Sequence, residues 1–115
     1  MSPFAGTPPA PYYAVIFTSR WTPETAQNPA DYYATADQMH QLASAMPGYL
    51  GIESARGADG VGITVSYWAT ERDIANWKQQ LDHLAAQQRG KREWYEHYEL
   101  RVAKVERSYS GPAGR

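Results

Sequence analysis

Three histidines, His40, His83 and His97, are the side chains in this sequence best suited to moving a proton near neutral pH. His83 stands six residues after Trp77 in a helical pattern. At ~100° per residue it falls opposite the stripe formed by Ile74, Trp77, Leu81 and Leu84, on the solvent side. A helix break after Lys78 would reset that phase and turn His83 inward, as a natural general base. His40 lies at the edge of an earlier helical stripe and His97 close to the last strand. Both read as structural or solvent-facing. The three are scattered, with no i, i+4 pair, so no metal-binding spacing is present. Arg56 closes a strand beside Gly57 and could grip an acidic ligand, although a hairpin-end arginine is ordinarily solvated. There is no glycine-rich phosphate loop, no Ser-His-Asp order and no carboxylate pair with a stated geometry. Lys91-Arg92 is too short for a basic patch.

The elements that must position these groups follow from periodicity. Residues 60–69 alternate, with apolar side chains at 61, 63, 65, 67 and 69 and Gly62, Thr64 and Ser66 between them. That is a strand with one face in a core, and Trp68 sets a large aromatic on its other face. Thr70 then precedes Glu71-Arg72-Asp73, a helix start with a hydroxyl cap and acids in the first turn. The helix runs on toward Gly90. Upstream, Tyr12 to Arg20 is a β-branched and aromatic strand with two apolar faces, so both sides of it must be covered. Trp21 to Pro29 reads as a loop. Asp31 to Met46 is a helix whose Tyr32, Ala36, Met39, Ala43 and Met46 recur at three- and four-residue steps, and Pro47-Gly48 stops it. Its Met and Tyr stripe reads first as core packing. Tyr49 to Arg56 is a second strand, and Asp59-Gly60 joins it to the third as a hairpin. Lys91 to Tyr98 reads as one or two further helical turns. Glu99 to Tyr109 is a last strand whose alternation slips near Ala103-Lys104, which predicts a bulge there.

The order β-α-β-β-α-β is the ferredoxin-like, split βαβ arrangement: an α+β fold with a four-stranded antiparallel sheet and both helices on one face. The other face carries Trp68 and half of an apolar first strand. Left open on a monomer, it would be an aggregation liability, so a homodimer with two sheets face to face is expected. Residues 1–11, with four prolines and a glycine, read as an extended or loose arm, 12–109 as one domain and 110–115 as a loose tail.

Composition narrows the classes. The chain has 115 residues, enough for one domain. It is 43% hydrophobic, which argues against disorder, and nine Tyr and four Trp exceed what one small core needs. The formal net charge of −1 gives no basic bias toward nucleic acid or anionic membranes. With no Cys there is neither a disulfide framework nor thiol chemistry. No apolar run approaches the ~20 residues that span a bilayer, and no secretory signal is visible. A cytoplasmic location is the default expectation.

The stretch Met46-Pro47-Gly48-Tyr49-Leu50-Gly51, the Asp59-Gly60 hairpin, the Thr64-Val65-Ser66-Tyr67-Trp68 strand with its helix start, and Arg101-Val102-Ala103-Lys104-Val105-Glu106 together resemble the antibiotic biosynthesis monooxygenase family of small dimeric α+β barrels. The likeness covers about residues 12–109. It implies a cofactor-independent monooxygenase acting on a small aromatic or quinol-type molecule. The same fold also serves non-catalytic ligand-binding or stress-related dimers and heme-degrading enzymes. In heme-degrading relatives a Trp at the place of Trp77 shapes the heme pocket and a His ten residues later binds iron. Here that later position is Gln87, a poor iron ligand, and the first strand lacks the Asn those relatives use. No cofactor is therefore expected. An oxygenase of this kind needs a base, polar groups for an oxyanion and a dry pocket. The resemblance nominates His83, Tyr67 and Asn76 for catalysis and Tyr13, Phe17, Val65 and Trp77 for the pocket. Val61, Ile63, Val65 and Tyr67 would then face the helices, and Trp68 the partner subunit.

Overall fold

The structure is a computed structural model that describes residues 3–87 and 94–112, the side chains of residues 83–87 excepted. The elements are β1 (Tyr12–Trp21), α1 (Pro23–Gln27), α2 (Ala30–Ser44), β2 (Tyr49–Arg56), β3 (Val61–Trp68), α3 (Glu71–Gln87) and β4 (Tyr95–Val105). The strands form one sheet in the order β2-β3-β1-β4, with every neighbouring pair antiparallel. Side chains from α2 and α3 meet the same face of it: Ala43 and Trp77 share one buried cluster with Trp68. This is the ferredoxin-like fold.

Local chemistry explains the joints. At the β2–β3 turn Gly60 takes φ +84°, and the Asp59 carboxylate accepts from the Val61 amide at 3.0 Å. Thr70 caps α3, its hydroxyl oxygen accepting from the Asp73 amide at 3.1 Å. Residues 23–27, expected to lie in a loop, form the short helix α1 instead. Thr22 caps it by accepting from the Thr25 amide at 3.1 Å, and Pro23 fits the first helical turn, where no amide is needed. The Thr-Pro-Glu-Thr signature is a start signal that the two prolines of the segment obscured.

The last strand also differs from expectation. It begins at Tyr95, inside the stretch read as helical, while residues 91–93 lie outside the described residues. Pairing near Ala103-Lys104 is regular: Tyr13 opposes Lys104 and Ala14 opposes Ala103. The register shift falls at the other end, where Tyr95 opposes Trp21 and His97 opposes Arg20, so that Glu96 is the extra residue. The apolar slip at Val105 needs no bulge, because Val105 opposes Tyr12 on the second face, which is also apolar.

The faces of β3 are reversed relative to the expectation. Trp68 is fully buried on the helix side, and its partners across the sheet, Tyr13 and Tyr49, share that face. Gly62, Thr64 and Ser66 alternate with it toward the helices, whereas Val61, Ile63, Val65 and Tyr67 point the other way. Hydropathy could not fix the phase, since both faces are apolar and a shift of one residue exchanges them. Side-chain size fixes it: small residues at 62, 64 and 66 leave room under the helices for two stacked indoles and for the Arg56 side chain. A Cβ on Gly62 would come within 2.5 Å of the Arg56 guanidinium carbon.

Residues 3–11 run across the face away from the helices. The Ala5 amide donates to Glu53 Oε2 at 3.0 Å, and the Thr7 hydroxyl donates to the Tyr12 hydroxyl oxygen at 3.0 Å. Tyr12 and Ala14, both on this face, are each only 4% exposed. No helix among the described residues is long and apolar enough to cross a membrane.

Candidate functional site

The bulge at the start of β4 builds a cleft with chemistry around it. Without Glu96 as an extra residue, Tyr95 and Tyr98, three apart, would stand on opposite faces of the strand. With it, Tyr95 opposes Trp21 and Tyr98 opposes Ser19, both on the helix side. Phe17 on the neighbouring strand meets both rings, at centroid distances of 5.2 Å and 5.3 Å. Trp94, Tyr95, Glu96, His97 and Tyr98 line a cleft of about 480 Å³ that wraps this edge strand. Its walls are aromatic, and an imidazole and a carboxylate stand at the rim. The imidazole is tied to a second carboxylate: His97 Nε2 lies 2.8 Å from Glu99 Oε2.

Behind the aromatic wall is a layer of donors. The Tyr95 hydroxyl donates to the Tyr32 hydroxyl oxygen at 3.2 Å. Arg56 donates to the same oxygen at 3.4 Å, to Ser19 Oγ at 2.9 Å and to the Gly60 carbonyl at 2.6 Å. Its guanidinium carbon lies 4.6 Å from the Trp21 ring centroid and 5.6 Å from that of Tyr32. Arg56 is thus fixed inside an aromatic cage rather than solvated, and no carboxylate among the described residues pairs with it. The Trp21 indole nitrogen is buried with no acceptor. Burial pushes the Tyr95 phenol well above its ordinary value, and the hydrogen bond to Tyr32 adds to the shift. Tyr95 therefore stays protonated at physiological pH and serves as a polar wall, not as a base.

The residues nominated from the sequence are not brought together. Tyr13, Phe17 and Trp77 stand on the helix side; Tyr67 and Val65 stand on the other face. Trp77 is 9% exposed and stacks on Trp68, with centroids 6.1 Å apart and planes 24° apart. Asn76 is exposed on α3. His83 lies on the α3 backbone, and its side chain is outside the described ones. The Tyr67 hydroxyl donates to Glu53 Oε1 at 2.7 Å. Its pKa is pushed up to about 12, first by burial and then by that bond. Trp68 lies in the core and does not reach the face where a partner was expected. His40 sits 3.3 Å from the Tyr49 hydroxyl. The Trp94, Tyr95, His97 and Tyr98 group was missed because 91–98 read as helical. The alternation of Tyr98, Leu100 and Val102 with Glu99 and Arg101, which carries the strand back past Glu99, was the available strand signal.

Among the described residues, no group of three or more His, Asp or Glu side chains could hold a metal ion. Residues 12–89 match the family model described as Antibiotic biosynthesis monooxygenase. The uncharacterized protein YqjZ of Bacillus subtilis is 50% identical over 101 residues, covering 88% of this chain and 85% of the relative. Among solved structures, PA3566 of Pseudomonas aeruginosa aligns with a TM-score of 0.63 at 13% identity, covering 86% of this chain and 96% of that one. The heme-degrading protein Rv3592 of Mycobacterium tuberculosis aligns with a TM-score of 0.55 at 17% identity, covering 89% and 100%. At such identities the two structures report the fold alone.

Proposed function

The chain belongs to the antibiotic biosynthesis monooxygenase family, and on that premise we propose that it is a dimeric, cofactor-independent oxygenase of a small phenol or quinol. The observation that carries this reading is the bulged start of β4, which gathers Trp94, Tyr95 and Tyr98 around a single cleft with His97 at its rim. An aromatic substrate would stack on those rings. His97, oriented by Glu99 2.8 Å away, would take its phenolic proton. The electron-rich anion then reduces dioxygen directly. For a hydroquinone, one oxygen atom enters the ring, the other leaves as water, and the product is a hydroxyquinone. His83 is the second candidate base, should its side chain turn toward the same space.

Oxygen uptake with a panel of hydroquinones and anthrones tests this. Uptake that is saturable and depends on the protein supports it; no uptake with any member refutes it.

One observation favours a second reading, a non-catalytic dimer that binds the same molecules. The His97 and Glu99 side chains are 72% and 54% exposed, which is wet for a base that must act on an anion. Ligands that raise the melting temperature without oxygen consumption would establish it. Heme degradation fits the residues poorly. Trp77, the ring that would shape a heme pocket, is packed flat on Trp68 instead of lining open space.

A further inference from the structure

We infer that the N-terminal arm, residues 3–11, is itself part of the surface on which a second copy of this chain docks, with Phe4 as the side chain that copy buries. The inference rests on the two-copy reading above and adds to it what the arm does. The face away from the helices carries Ile63, 48% exposed, with Val65 and Tyr67 along the same strand. It also carries a carboxylate, Glu53, in the middle of β2. Burying that charge against a partner is costly unless its oxygens are satisfied. Two donors satisfy it: the Tyr67 hydroxyl at 2.7 Å on Oε1 and the Ala5 amide at 3.0 Å on Oε2. The second comes from the arm. The arm also packs tightly here, since a Cβ on Gly51 would come within 2.8 Å of the Ala5 side chain. Its Thr7 hydroxyl bonds that of Tyr12, which is 4% exposed.

A strap built only to seal the face would turn its large apolar residue inward. This one leaves Phe4, next to the Ala5 anchor, 78% exposed. Four strands ~4.8 Å apart and eight residues long present a footprint of about 500 Å². Side-chain relief and the arm bring that toward the ~800 Å² per partner of a stable pair. Phe4 then takes the role of an aromatic anchor beside a desolvated, fully bonded carboxylate.

Sedimentation of the full chain over a concentration series tests this, with two variants beside it. Phe4→Ala removes the anchor from an exposed position, and its melting temperature is compared with that of the native chain to separate any effect on the fold. Ala5→Pro removes the amide that bonds Glu53 and also restricts the backbone of Phe4 before it, so it tests the anchored arm as a unit. Each is expected to weaken self-association about tenfold or more. A native chain that stays monomeric throughout removes the two-copy reading and this inference with it. A native dimer whose constant neither variant changes removes the inference alone. Tighter association in either variant would make the arm a blocker of the face and overturn the inference as well.

Discussion

The indole of Trp68 lies face to face with that of Trp77, 6.1 Å away and tilted by 24°, so the strand that feeds α3 is locked to that helix by a pair of stacked rings. Tyr49 meets Trp68 edge-on at 5.6 Å from the other side, and the Trp68 indole N–H donates to Ser66 Oγ at 2.9 Å. The ring is thus held by packing on two sides and by a satisfied polar edge.

Trp68→Ala should therefore damage the fold before it touches any assembly. A large-to-small change at a fully buried aromatic costs about 3–5 kcal/mol. Denaturant unfolding at several protein concentrations checks it: the loss should be present even under conditions where the chain is monomeric.

Arg56→Met should destabilise by about 2 kcal/mol, because Ser19 Oγ loses its donor and the Gly60 carbonyl, which keeps the Trp21 amide at 3.1 Å, loses one of two. In a domain of this size that lowers the melting temperature by roughly 8–12 °C. Arg56→Lys should recover only part of it, since an ammonium cannot serve three acceptors in one plane.

Tyr67 and Glu53 give opposite pH dependences. The Tyr67 phenol has its folded pKa raised from 10.0 to about 12, so its contribution is complete below pH 10 and is lost as pH rises toward 12. The bond from Tyr67, and after it the Ala5 amide, hold the Glu53 carboxyl below its ordinary 4.5. That contribution is complete above 4.5 and is lost as pH falls. Tyr67→Phe should flatten both limbs of a stability-versus-pH curve. Part of the alkaline limb should remain, because burial also raises Tyr49 and Tyr95.

His97→Gln should lower oxygen uptake by about 10²–10⁴-fold while leaving aromatic binding within a few-fold, if His97 is the base. Comparing initial uptake rates with fluorescence titration of the same ligand separates the two effects. A variant as active as the native chain would move the base elsewhere, with His83 next in line.

Gly48→Ala should be costly out of proportion to one methyl group. Gly48 sits at φ +84°, and an added Cβ would collide with the Asp73 carboxyl that Thr70 holds at the start of α3. About 2 kcal/mol is expected, and Asp73→Ala in the same chain should relieve only part of it, because the Cβ at 73 would still stand 2.7 Å from the added methyl.

Much of the fold was legible because it depends on period and punctuation. Tyr49–Arg56, the Asp59-Gly60 turn and the Thr70 cap were readable in place, and the β-α-β-β-α-β order followed from them. The cleft was not legible, for two physical reasons. A sheet apolar on both faces carries no phase in its hydropathy, so Val61, Ile63, Val65 and Tyr67 were expected on the side that Trp68 occupies. The register shift at Glu96 depends on pairing with Arg20 and Trp21, seventy-odd positions away, and a short aromatic run beside Gly90 resembles a helix end until that pairing is known. Arg56 was readable as a charge, but not as one enclosed by Trp21 and Tyr32.

Glu96 gives the start of β4 a reading frame. Deleting that one residue would restore regular pairing, yet Tyr95 would still oppose Trp21 and Tyr98 would still oppose Ser19, so the two rings would keep the same face. The loss of a single codon at this point would thus take away the kink and the carboxylate at the rim without turning any ring that lines the cleft.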